Sequence, residues 1–320
     1  MRLPWFAIIT AILVVGAPIL TRMVEWNFVF YAGYVVLQFV VLATAWNILG
    51  GFTGYVNFGS AAFFAVGAYT TIALHKALAL PLPATILAAG VIGGLIGLGA
   101  GYLTLRLRGV FFAIATLALA VVLETLIVNW EYVGGASGAY VIPPAEVPFF
   151  DNFIEAMFCL MLLLAVVAVA IARYIALSKI GRGFAAIRDD EVAAECMGVP
   201  TLKLKLIATT VSGALMGIAG APFPFYVTYV DPASAFNLTY AVNAIAMPMI
   251  GGTTTWFGPL IGALVLGVMQ QWATVSISSE LNLLIVGVML VGFVILAPQG
   301  IVGLWKKHIG GGRKRGERKR

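Results

Sequence analysis

The sequence predicts an all-α polytopic membrane protein of about ten transmembrane helices, and three observations predict it. The 320 residues are 62% hydrophobic and only 10% charged. The apolar residues fall in repeated runs of roughly 20, long enough to cross the ~30 Å hydrocarbon core of a bilayer as helices. These runs are continuous rather than alternating, which selects helices over closed barrels, the other structure that pairs every backbone polar group in lipid.

Reading the runs against the charges places the spans near Trp5–Thr21, Phe28–Leu49, Tyr55–His75, Ala84–Leu105, Val110–Trp130, Ile154–Leu177, Leu206–Tyr226, Tyr240–Gly252, Phe257–Val275 and Leu281–Leu304. The first run carries a single Arg and no good small-x-small cleavage site, so it reads as an uncleaved helix rather than a signal peptide. Arg2, the Arg106–Arg108 pair, the segment Ser178–Lys205 and the C-terminal tail then share one side. The loop from Glu131 to Glu155 holds Glu131, Glu146, Asp151 and Glu155 and no Lys or Arg, and Asp231 and Glu280 fall on its side. Positive charge concentrates on the cytoplasmic side of membrane proteins, which puts both termini inside; Arg22 and Lys76 run against this trend.

Residues 1–305 therefore read as one transmembrane domain and residues 306–320 as a basic cytoplasmic tail. Nine of the tail's fifteen residues are charged, eight of them Lys or Arg. Directly after a membrane helix, such a tail reads as an anchor attracted to anionic lipid, not as a nucleic-acid arm.

Much chemistry is excluded. The chain has no GxxxxGK[ST] phosphate loop and no HExxH. Two histidines, His75 and His308, and two cysteines, Cys159 and Cys196, give no metal or disulfide framework. No cofactor, no metal and no catalytic residue is expected.

Candidates for a translocation path come from polar groups and irregular backbone at membrane depth. The stretch Gly50–Ser60 joins flexible glycines to amides and hydroxyls, which makes Asn57 and Ser60 candidates. The span Tyr240–Gly252 is short, and Pro248 interrupts it before Gly251-Gly252. A short, broken helix points to a path, so Asn243 within it and Thr253 after it join the set. Glu124 is the only ionisable residue well inside a span, with no intramembrane Lys or Arg visible as a partner; its alternative role is structural. Gly93, Gly97 and Gly101, with Gly90 and Gly94 beside them, form a face suited to close helix packing.

Ser178–Lys205 is the most informative segment: a folded island between apolar helices that carries nine of the thirty-two charged side chains. Asp189 suits a helix N-cap, with Asp190 and Glu191 in the first turn. Gly198 suits the C-terminal turn, and Pro200 stops the helix. Val192 and Cys196 share a face with Ala193 and Met197 adjacent, while Glu191 and Glu195 lie opposite. Two turns of helix need a surface to pack against. Gly181–Arg188 does not continue the stripe and reads as an entry turn followed by a bend near Asp189. The bland alternative is a polar loop lying on its own membrane domain.

The string GRGFAAIRDDEVAAECMGV (residues 181–199) resembles the cytoplasmic loop of Liv-type branched-chain amino acid permeases of ABC importers. GYVNFGSAAFFAVGAY (Gly54–Tyr69), TLRLRGVFFAIATLALA (Thr104–Ala120) and TTTWFGPLIGA (Thr253–Ala263) are similar to further family segments in the same order, the second favouring the larger permease subunit. The resemblance implies the ABC importer permease fold. It also implies three kinds of partner besides the lipid membrane: a homologous second permease subunit, two cytoplasmic ATPase subunits that hydrolyse the ATP, and an extracytoplasmic solute-binding protein. It further implies ATPase coupling through Gly181, Arg182, Arg188, Asp189, Glu191, Val192, Ala193, Ala194 and Gly198. Departures at Val133–Ala139 and at Ala246–Met249 bear on the substrate, since related permeases are associated with urea, short amides or aromatic acids. A secondary carrier or channel for a small polar solute is the rival class; it would want an intramembrane charge pair.

Overall fold

The computed structural model describes residues 16, 27–104, 107, 109–144, 150, 152–276, 284, 287–292 and 300–303. All of the expected first span but Gly16, most of the last and the basic tail lie outside the described residues, as do Arg106 and Arg108. Seven described helices are long and apolar enough to cross a membrane. Helix α1 covers Asn27–Thr53, α2 Ser60–Leu78, α3 Leu82–Thr104, α4 Val110–Val128 and α5 Phe153–Leu177. The short helices α6 (Lys179–Asp189) and α7 (Glu191–Cys196) form the island. They are followed by α8 (Thr201–Gly220), α9 (Phe223–Val227), α10 (Pro232–Ala235), α11 (Leu238–Gly251) and α12 (Gly258–Ser276). The one described strand pair is antiparallel, with β1 (Ala139–Tyr140) against β2 (Tyr229–Val230), and it closes the end of the bundle opposite the island.

Helix α1 forms the axis of the bundle: most of its residues from Val40 to Thr53 are buried. It runs four residues past the expected end, through Gly50-Gly51, because the glycines serve packing rather than a turn. A Cβ on Gly51 would stand 2.7 Å from the Thr253 carbonyl oxygen. The expected start of α2 at Tyr55 moves to Ser60, since Gly54 has φ +82° and opens a non-helical turn over residues 54–59.

The glycine face of α3 packs on α8. A Cβ on Gly93 would meet the Gly213 carbonyl oxygen at 2.6 Å, and one on Gly97 the Thr209 carbonyl oxygen at 2.6 Å. Backbones that approach this closely exclude side chains from the seam, as small-residue stripes do between membrane helices.

Helix α11 departs from expectation in one respect. It is short, but Pro248 does not break it: the proline sits in the last turn, and Gly252 N–H still donates to Pro248 O at 2.7 Å. Fourteen residues rise only about 21 Å, well short of a full crossing. The helix begins where Tyr240 stacks on Phe64, ring centroids 4.4 Å apart, and α12 turns back along it from Gly258.

Candidate functional site

Five chain segments meet at the island end: the last turn of α1, the turn 54–59, the start of α4, the island and the first turn of α8. Ser178 caps α6, its Oγ accepting from Ile180 N–H and Gly181 N–H at 3.1 and 3.3 Å. The expected entry turn Gly181–Arg188 is therefore a helix. Its glycines are in place because Gly181 lies against the Ile175 carbonyl and Gly183 against Leu204, positions where a Cβ would collide. Phe184 and Ile187 anchor the helix in the core.

The expected bend falls between α6 and α7, but Asp190, not Asp189, caps the second helix. Asp190 has extended backbone, and its Oδ1 accepts from Val192 N–H at 2.9 Å and Ala193 N–H at 3.0 Å. The N-cap residue must lie outside helical φ/ψ, and Asp189 is still the last residue of α6. Asp189 instead makes a surface ion pair with Arg188 at 3.3 Å, of little energetic weight in water. Gly198, φ +80°, ends α7 as expected, its N–H donating to Glu195 O at 2.9 Å.

One face of the island meets solvent. Val192 is 54% and Met197 84% exposed, with Ala193 and Cys196 exposed beside them, and Arg182 is at the surface. Ala194, expected among the coupling residues, is 5% exposed and turned toward the bundle. Glu191 is the second departure. Its carboxylate accepts from Lys205 Nζ at 2.7 Å and from the Tyr55 hydroxyl at 2.5 Å, and Lys205 Nζ also donates to that hydroxyl at 3.1 Å. Lys205 stands over the Tyr55 ring, 4.8 Å from its centroid, and Phe112 packs edge-on against the ring at 5.1 Å. Charges removed from water require such mutual pairing. Thr201 Oγ1 donates to Glu195 at 2.5 Å and closes the same side.

The path candidates fall at several places in the bundle. Asn57 is buried in the turn 54–59, where its Oδ1 accepts from Gly59 N–H at 2.7 Å and its carbonyl accepts from Trp46 Nε1 at 2.8 Å. Ser60 is buried at the head of α2, its Oγ without a hydrogen-bond partner among the described residues. Thr253 lies in the loop between α11 and α12, its carbonyl against Gly51. Asn243 is buried on α11 and bonded to Gln270. Glu124 stands apart, partly exposed on α4 near the far end. Nor is Glu124 the only charge within a long apolar helix: Arg173, near the end of α5, is 4% exposed with its guanidinium 5.3 Å from the Trp256 ring centroid.

The sequence reading missed Tyr55 and Lys205 as partners of Glu191. Lys205 lay in the charge-dense island, but no periodicity signals a contact across Pro200 to a tyrosine 150 residues earlier.

A bundle of long apolar helices with an irregular turn beneath them and a charged, folded island clamped onto one end defines a multi-pass membrane protein. The chain belongs to the family of branched-chain amino acid transport system permease components, whose model matches residues 27–294. It is similar to the high-affinity branched-chain amino acid transport system permease protein LivM of Salmonella typhimurium, 26% identical over 89% of this chain and 74% of the relative. LivM of Escherichia coli is likewise 26% identical, over 91% and 75%. The probable branched-chain amino acid transport permease protein LivH of Methanocaldococcus jannaschii is 25% identical over 84% and 90%. No solved structure matches.

Proposed function

We propose that this chain is one permease subunit of an ABC importer for branched-chain amino acids or related small amino acids and amides. It sits in the cytoplasmic membrane with both termini and the island on the cytoplasmic side. It pairs there with a homologous second permease. Two cytoplasmic ATPases hydrolyse ATP and dock at the islands, and a solute-binding protein delivers substrate at the far end. The relatives named above support the substrate class, and the Lys and Arg residues gathered at the island end support the orientation.

The observation that carries the reading is the two-sided island. One side of α7 offers Val192, Ala193, Cys196 and Met197 to a soluble partner. The other side is fixed to the bundle through Glu191, Lys205 and Tyr55. ATP in a partner chain can drive alternation only through contacts that differ between two states of the membrane domain, and a clamped island supplies such contacts. Within the domain, Asn57, Ser60 and Thr253 are proposed for the cytoplasmic part of the path, Asn243 for its middle and Glu124 for its outer end. The tail from residue 306 to 320 is proposed to lie on anionic lipid.

The test is reconstitution in proteoliposomes with the cognate ATPases and binding protein. ATP-dependent, binding-protein-dependent uptake of leucine is expected. Uptake without ATP, or unchanged when the ATPases are omitted, overturns the importer reading in favour of a secondary carrier.

A further inference from the structure

We infer that Tyr55 and Lys205 are positioning residues that carry movement of the island into the turn 54–59 and the head of α2; the inference rests on the importer reading above. Glu191 is the first residue of α7, so its carboxylate moves as the docking helix moves. Lys205 and Tyr55 hold that carboxylate from two different parts of the bundle, the first turns of α8 and the turn after α1. The side chains of Lys205 and Glu191 are 4% and 12% exposed, so water cannot stand in for a lost partner.

From Tyr55 the connection continues through short, directional contacts. Gly54, with φ +82°, brings its backbone against Arg188 of α6. Three residues on, the Asn57 carbonyl is held by Trp46 of α1 at 2.8 Å. Phe58 N–H donates to Thr116 Oγ1 of α4 at 3.1 Å, and Gly59 N–H to Asn57 Oδ1 at 2.7 Å. Ser60 then opens α2. The turn thus touches α1, α4 and both island helices, and little of it is free to absorb a displacement. Pulling on Glu191 must shift the turn or break its hydrogen bond with Tyr55.

A hydrophobic cluster of equal volume would hold the island to the bundle at least as stably as a buried ion pair. What the pair adds is direction: a hydrogen-bonded carboxylate has one preferred register with its partners, whereas an apolar contact slides. Lys205 and Tyr55 therefore set where the turn stands relative to the docking helix, without touching substrate or nucleotide.

The experiment compares wild type with Tyr55→Phe, Glu191→Gln, Lys205→Met and the exchanged pair Glu191→Lys with Lys205→Glu. Each is assembled with both ATPases, the second permease and the binding protein. ATP hydrolysis and uptake of radiolabelled leucine are measured on the same proteoliposomes, and ATPase co-purification is scored separately. The expected result is retained co-purification and hydrolysis, with leucine moved per ATP reduced about fivefold or more in Lys205→Met and Glu191→Gln. The exchanged pair should recover part of that loss. Tyr55→Phe keeps the ring and should fold, so it decides the matter if the charge variants do not assemble. Unchanged leucine per ATP in assembled Tyr55→Phe and Glu191→Gln overturns the inference. Loss of ATPase co-purification in those variants also overturns it, because the cluster would then shape docking rather than transmit it. If wild type itself shows no ATP-dependent uptake, the importer reading fails first and this inference with it.

Discussion

Gln270 on α12 donates from Nε2 to Asn243 Oδ1 on α11 at 2.8 Å, and both side chains are buried. At that depth an amide without its partner has little water to turn to. Gln270→Leu and Asn243→Leu should each destabilise the permease by about 0.6–2 kcal/mol, the range for interhelical hydrogen bonds in membranes. The double leucine variant should lose less than the sum of the two, since removing both partners strands neither. Thermal unfolding of the purified permease in detergent measures the cycle; simple additivity would show that the bond contributes nothing to the α11–α12 pair.

The α3–α8 seam makes a sharper distinction between neighbouring glycines. Gly97→Ala forces a methyl to 2.6 Å from the Thr209 carbonyl oxygen, whereas a Cβ on Gly99 meets nothing within 4 Å. Overpacking a tight contact costs about 1–3 kcal/mol. In an open helical position, Gly→Ala gains up to about 1 kcal/mol of helix propensity. Gly97→Ala should therefore lower the unfolding temperature and Gly99→Ala raise it slightly or leave it unchanged. Equal effects from the two substitutions would contradict the packing.

How much of this was legible in sequence follows from the range of each interaction. The long apolar runs and the stripe Gly90–Gly101 could be read directly, because hydrocarbon imposes span length and close packing imposes small residues. The bend in the island and its end at Gly198 were legible for similar local reasons. Gly181 and Gly183, however, suggested a turn. They stand in helix α6 because Ile175 and Leu204 crowd them, and only the fold supplies those neighbours. The cap was misplaced by one residue because Asp189 and Asp190 are chemically equivalent and only backbone geometry separates them. Periodicity placed Glu191 opposite the Val192 face but named no partner for it, since it cannot see Lys205 and Tyr55 approaching from other elements.

That one-residue shift can be measured. Asp190→Ala removes the acceptor from two backbone N–H groups at the start of α7 and should cost about 0.5–2 kcal/mol of local stability. Asp189→Ala loses only a surface ion pair and should cost a few tenths of a kcal/mol, about the median for exposed pairs. Amide hydrogen exchange over residues 191–197 reads the difference. Faster exchange is expected in Asp190→Ala alone, and faster exchange in Asp189→Ala instead would move the cap back.

The two faces of α7 give the last prediction, which separates adjacent alanines. Ala193 is exposed and Ala194 is 5% exposed, packed toward the bundle. In a Cys196→Ser background, Ala193→Cys should react with a membrane-impermeant maleimide on inside-out vesicles about tenfold or more faster than Ala194→Cys, because access limits the thiol. Adding the ATPases should protect Ala193→Cys, and a cross-linker of short span should join it to an ATPase subunit. Aspartate tells the same two sites apart by a different failure. Ala193→Asp should leave the permease stable and weaken ATPase co-purification. Ala194→Asp should destabilise the permease itself, because it buries a charge with no partner built for it. Comparable labelling at both positions would mean that α7 is rotated from this orientation. Fast labelling of Ala193→Cys that the ATPases do not slow would place their docking surface elsewhere on the island.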